Sequence, residues 1–120
     1  MTSLTTTHTV EGAPGRLRLR VRRPTRGTAV VEVGGEVDLG TAPRLWELLS
    51  ERLHGNGAKL IVDLSAVGFF GAAGVRVLQR AHLLADETGT RLYVCPGACR
   101  SVRRLLDLCD DVSLRTLEKS

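Results

Sequence analysis

Residues 59–78 limit the fold more than any other part of the chain. Lys59-Leu-Ile-Val-Asp-Leu64 is a nearly continuous apolar run, and a strand apolar on both of its faces has to be covered on both, which places it inside a sheet. The run continues through a hydrophobic turn, Val67-Gly-Phe-Phe70, into Gly71-Ala-Ala-Gly74. From there Val75, Leu78, Ala81 or His82, and Ala85 recur at helical spacing until Thr88-Gly89 closes the segment. The glycine-flanked turn therefore sits at a helix N-terminus, where unpaired N–H groups and the positive end of the helix dipole favour an anion or a phosphorylated hydroxyl. Yet Gly71, Ala72 and Ala73 offer neither a hydroxyl nor a carboxylate.

The flanking segments supply the rest of an α/β unit. Arg16, Arg18, Arg20 and Arg22 alternate with Leu17, Leu19 and Val21, the period of a half-buried strand. Pro24-Thr-Arg-Gly27 supplies turn residues before a second strand at 28–33, so the two predict a hairpin. Gly34-Gly-Glu-Val-Asp38 breaks the pattern. Thr41 as N-cap, with Pro43 in the first turn, then starts a helix over 42–54. Its Leu45, Leu48, Leu49 and Leu53 form one stripe, Trp46 packs beside them, and Gly55-Asn-Gly57 ends it. The second helix, 72–87, leaves Arg76, Gln79 and Arg80 on its outer face. Residues 91–95 form another strand. Pro96-Gly97 turns into a third helix carrying Val102, Leu105, Leu106 and Cys109, and 112–114 form a last edge strand. The order β-β-α-β-α-β-α-β predicts a single α/β domain over 16–117, built on a mixed, mostly parallel sheet with an N-terminal β-hairpin and three main helices. The Thr-rich residues 1–15 read as a disordered lead-in and 118–120 as a tail.

A length of 120 residues is enough for one ordinary core without staples. No apolar run approaches the roughly 20 residues that span a bilayer, and the start lacks a signal peptide's apolar region, so a cytoplasmic protein with no membrane partner is expected. The net charge of +4 raises the question of nucleic acid. The alternating arginines answer it as a solvated strand face, and aromatic residues at 3% leave no stacking platform for bases. Cys95, Cys99 and Cys109 are read as packed thiols; a metal site would need further ligands, and His54 and His82 lie far off in sequence. Ser65 reads as a turn hydroxyl at a strand end. No nucleophile motif, phosphate-binding Gly-Lys-Ser/Thr loop or dinucleotide fingerprint occurs, so no catalytic residue, cofactor or metal is expected.

Two motifs carry a family resemblance. Gly35-Glu-Val-Asp38 followed by Thr41-Ala-Pro43, and Val62-Asp-Leu-Ser-Ala-Val-Gly-Phe-Phe-Gly-Ala-Ala-Gly74, resemble in order the two signature segments of STAS domains. The resemblance covers about residues 16–117. It implies an antagonist that binds an anti-sigma factor of kinase-like fold and so frees a sigma factor, with phosphorylation of the first Ser or Thr of an Asp-Ser-Ser-Gly loop turning the antagonist off. In this chain the family's Asp falls on Gly71, its phosphoacceptor on Ala72, its second Ser on Ala73 and its Gly on Gly74. The acidic residue before the first helix is kept as Asp38. The partner surface expected from this alignment comprises Asp38, Thr41, Phe70, Gly71, Ala72, Ala73, Gly74, Arg76 and Arg80, on a monomer or weak dimer. Small residues at 71–74 serve equally for close helix–strand packing, and Asp38 for capping local N–H groups. A domain that keeps the surface is permanently competent; one that has lost it is a divergent scaffold or small-ligand sensor subunit.

Overall fold

The computed structural model describes the backbone of residues 5–10 and residues 16–55, 57–97, 100 and 102–104 in full. Its elements are β1 (Thr5–Val10), β2 (Leu17–Thr25), β3 (Thr28–Val37), α1 (Ala42–Leu53), β4 (Lys59–Phe70), α2 (Ala72–Thr88) and β5 (Arg91–Cys95). The strands form one sheet in the order β1-β2-β3-β4-β5. Joins β1/β2 and β2/β3 are antiparallel, and β3/β4 and β4/β5 are parallel. The mixed sheet and its hairpin agree with the sequence pattern. Parallel returns require a crossover, and α1 and α2 are those crossovers.

One face of the sheet carries the core. Leu17, Leu19 and Val21 of β2, Val31 and Val33 of β3, Leu60, Val62 and Leu64 of β4, and Leu92 and Val94 of β5 are buried against the apolar stripes of α1 and α2. The α1 stripe is Leu45, Leu48, Leu49 and Leu53, as its spacing requires; α2 contributes Val75, Leu78, Ala81 and Ala85. Val102 joins the same cluster from the helical residues after β5. On the opposite face Arg18 and Arg20 are exposed, and Glu32 pairs with Arg22 at 2.8 Å and Arg20 at 3.4 Å. The arginine alternation is thus the solvent side of β2. Trp46 packs against the core edge, and the Arg80 guanidinium stacks 4.1 Å from its ring centroid, tying α2 to α1.

The structure departs from the sequence reading at three places. Residues 5–10, expected within a disordered lead-in, form β1, because a β-branched Thr-rich segment finds an open strand edge on β2 and pairs along it from Thr5–Arg22 to Val10–Leu17. Residues 34–37, read as a break, continue β3. Gly35 adopts φ +89°, and a side chain there would run into the Arg16 carbonyl, so glycine lets the strand shift register and go on. The hydrophobic turn at 67–70 is the end of β4, which pairs with β3 as far as Val37–Phe70. The expected third helix beyond 104, the strand at 112–114, the tail, Cys99 and Cys109 lie outside the described residues. Cys95 is buried at the end of β5.

The start of α2 fits tightly. A Cβ on Gly74 would lie 2.7 Å from two Phe70 ring atoms and 2.9 Å from a Val37 methyl. Gly74→Ala should therefore cost about 1–3 kcal/mol through overpacking, and Leu64→Ala, fully buried in β4, about 2–5 kcal/mol through the cavity it leaves. Urea unfolding monitored by circular dichroism measures both; a Gly74→Ala protein as stable as the parent would show that this contact relaxes freely.

Candidate functional site

Parallel pairing of β3 with β4 sends the chain out of both strands at the same end of the sheet. The loop after β3 (residues 38–41) and the turn after β4 (residue 71 and the start of α2) consequently stand side by side. The Gly71 N–H donates to the Val37 carbonyl at 2.8 Å and holds them together. Between them lies an open groove of about 570 Å³, lined by Arg16, Asp38, Leu39 and Gly40 on one side and by Phe69, Gly71, Ala72, Ala73 and Arg76 on the other.

Asp38 organises the first loop. Its Oδ1 accepts the N–H groups of Gly40 at 2.9 Å and Thr41 at 3.1 Å, and its Oδ2 accepts from Arg16 at 2.8 Å. Arg16 also reaches Glu36 at 3.2 Å, so one guanidinium holds two carboxylates across the mouth of the hairpin. Partial removal from water acts to raise the Asp38 carboxyl. The Thr41 N–H, the Arg16 charge, the Gly40 N–H and the Thr41 hydroxyl together outweigh it and hold the group below its ordinary value. Thr41 stands at the N-cap of α1 but its side chain caps no helix N–H: the hydroxyl turns back to donate to the Glu36 carbonyl at 2.9 Å and accepts from the Asp38 N–H at 2.9 Å. Asp38 is thus a local cap for the Gly40 and Thr41 N–H groups and also lines the groove.

The second loop is bare. Gly71 is the N-cap of α2 in an extended conformation and no side chain caps that helix, so its first N–H groups lack the oxygen that Ser or Asp supplies at such positions. Ala72 is exposed and Ala73 half-buried. A Cβ on Gly71 would meet the Phe69 ring at 3.2 Å, which sets how close the ring lies to the turn.

The expected surface residues divide sharply. Asp38, Gly71, Ala72, Ala73 and Arg76 come together in the groove. Thr41 and Phe70 are fully buried, and Gly74 is buried beneath Phe70; these three build the site without presenting a side chain to a partner. Arg80 is exposed but engaged with Trp46, away from the groove lining. Two residues the sequence reading passed over dominate the rim, Leu39 at 81% and Phe69 at 49% exposure. Simple alternation does not reach Phe69 and Phe70: beyond Leu64 the pairing with β3 shifts register, and Val67 and Phe70 turn inward while Ala66, Gly68 and Phe69 turn outward. Leu39, a large apolar residue between Asp38 and Gly40, was legible as an anomaly in a polar loop.

The depressed Asp38 carboxyl makes a pH prediction. Its folded value lies below its unfolded one of about 3.9, so its contribution to stability is complete above that value and is lost as pH falls through the folded value. The parent should exceed Asp38→Asn in chemical-denaturation stability near neutral pH, with the gap closing progressively once pH drops below about 4. A gap that stays constant down to pH 2 or so would remove the carboxylate from this role.

Comparison with known proteins agrees with this fold. A family model described as "Mlab, STAS domain" matches residues 21–110. The anti-sigma-F factor antagonist RsfB of Mycobacterium tuberculosis is 46% identical over 52 residues, 43% of either chain, so the match spans less than half the length of that relative. Among solved structures, unphosphorylated SpoIIAA superposes with a TM-score of 0.72 at 16% identity, covering 85% of this chain and 88% of that one. An anti-sigma factor antagonist from Mycobacterium paratuberculosis superposes with a TM-score of 0.64 at 25% identity, covering 95% and 86%. Both loops that form the groove fall within the matched residues, and the chain belongs to the STAS domain family.

Proposed function

We propose that this protein is an anti-sigma factor antagonist, a cytoplasmic binding protein without enzymatic activity, that docks its partner in the groove between residues 38–41 and 69–76. The observation that carries the reading is the exposure of Leu39 and Phe69 on either side of the bare α2 N-terminus. Two large apolar side chains kept in water at one groove favour a partner that removes them from it. Arg76, exposed and without an ion pair among the described residues, borders the same groove and suits an acidic group on that partner. Similarity to RsfB and to the M. paratuberculosis protein, both named as anti-sigma factor antagonists, supports the class of partner.

The partner in this reading is an anti-sigma factor of kinase-like fold, and the usual control is missing. Phosphate on the loop would add about −1.5 to −2 charges beside Leu39 and Phe69, a setting in which charge opposes apolar docking. Ala72 has no oxygen to carry it. The protein is therefore permanently competent to bind.

Calorimetry of the purified protein against the kinase-like anti-sigma factors of its own organism tests both halves. Binding should be unaffected by ATP, and intact mass should show no added phosphate. Phe69→Ala should weaken binding about 30-fold, an effect near 2 kcal/mol typical of a central interface aromatic, and Leu39→Glu should act in the same direction, with thermal unfolding little changed because both side chains are exposed. The double variant Gly71→Asp with Ala72→Ser should become a kinase substrate. Failure of every candidate to bind would overturn the antagonist reading in favour of a scaffold or ligand sensor.

A further inference from the structure

The end of the domain opposite the groove gathers positive charge around a small pocket. There β2 ends and β4 begins, and α1 comes to its C-terminus; Arg23, Glu51, Arg52, Lys59 and Thr90 line a cavity of about 90 Å³. We propose that this pocket binds a small free oxyanion of the phosphate or sulfate class.

Three observations converge on it. The Arg52 Nη2 reaches Glu51 at 3.2 Å, but its Nε is buried without an acceptor. A buried guanidinium N–H left unpaired costs its desolvation in full, and an oxyanion oxygen is the acceptor that best offsets it. The charge count is also one-sided: Arg23, Arg52 and Lys59 stand against Glu51 alone, three positive charges and one negative, for a net of +2. Arg23 makes no ion pair among the described residues, and Lys59 is steadied over the Tyr93 ring at 5.2 Å, a contact that leaves its charge unneutralised. The α1 C-terminus, which by itself repels anions, is partly screened because the Ser50 and Arg52 carbonyls already accept the N–H groups of His54 and Gly55.

The pocket is small beside the groove, about 90 Å³ against about 570 Å³, which suits a compact anion. The site is separate from the groove: the 12 residues of α1 put about 18 Å between them, and the two share no lining residue. The proposal therefore stands or falls independently of the docking reading.

Inorganic phosphate added to the full chain, with sodium chloride at matched ionic strength as control, provides the test by thermal unfolding and by amide chemical shifts. A saturable rise in Tm is expected with phosphate and sulfate, with shifts centred on Gly55, Gly57, Lys59 and Thr90. Lys59→Gln and Arg23→Gln, both near the protein surface, should each weaken binding at least about tenfold. Arg52→Lys, which keeps the charge but removes the Nε donor, should weaken it as well. An equal rise with chloride, shifts centred on Arg18 and Arg20, or full affinity in the Arg23 and Lys59 variants would each overturn the site. Tighter binding of glycerol 3-phosphate than of inorganic phosphate would overturn the free anion as its ligand.

Discussion

The junction of β3, β4 and α2 at Val37, Phe70 and Gly74 is the constraint on which the rest of the molecule depends. Phe70 is fully buried, its ring lies against the Gly74 backbone, and the adjoining Gly71 N–H is bonded to the Val37 carbonyl. Interiors at crystal-like density do not absorb an extra methyl group without moving something, so the absence of a side chain at Gly74 fixes how closely α2 approaches the sheet. Parallel pairing of β3 and β4 sets the two loops side by side, and the close approach at Gly74 fixes where the start of α2 stands on the groove's second wall.

Electrostatics then shapes what packing has placed. Arg16, at the start of β2, pairs with Glu36 and Asp38 at the end of β3. Exposed pairs of this kind add little stability. Their effect here is geometric: with Oδ2 committed to Arg16, Oδ1 of Asp38 is aimed at the Gly40 and Thr41 N–H groups and braces the loop that carries Leu39. In the proposed reading, a hydrophobic residue at 81% exposure on a loop braced in this way would be preorganised for a partner, which would lower the ordering cost of association.

Much of this was legible in the sequence because periodicity reports burial. The leucine stripe of α1, the alternation of β2, the apolar run of β4 and the helical spacing after Gly74 each map onto the observed core. The strand ends were not legible. Gly34 and Gly35 look like a break, and only in the fold does the left-handed Gly35, where the β2 pairing ends, let β3 continue to Val37 beside β4. Extending β4 to Phe70 follows from that same pairing, and with it the exchange of roles between Phe69 and Phe70. β1 was missed for another reason: a Thr-rich segment has strand propensity but no apolar pattern, and its pairing depends on an edge that local sequence does not reveal. Small residues at 71–74 carried two readings that the structure divides by position, with packing deciding Gly74 and exposure leaving Ala72 for the groove.

That division bears on how a protein of this kind can be controlled. A phosphorylated loop regulates by changing affinity, because charge placed on an apolar surface alters the free energy of docking directly. In the proposed reading, alanine at the exposed position would close that route and leave affinity a fixed property of the groove. Occupancy of the partner then depends on the concentration of this protein relative to its dissociation constant, and on whatever else competes for the same partner surface. A switchable antagonist sharing that partner would raise its effective activity and lose it again, whereas this chain would set the level below which the partner cannot be left free. In the proposed reading, alanine at position 72 would change the kind of input the module reads, from covalent modification to abundance.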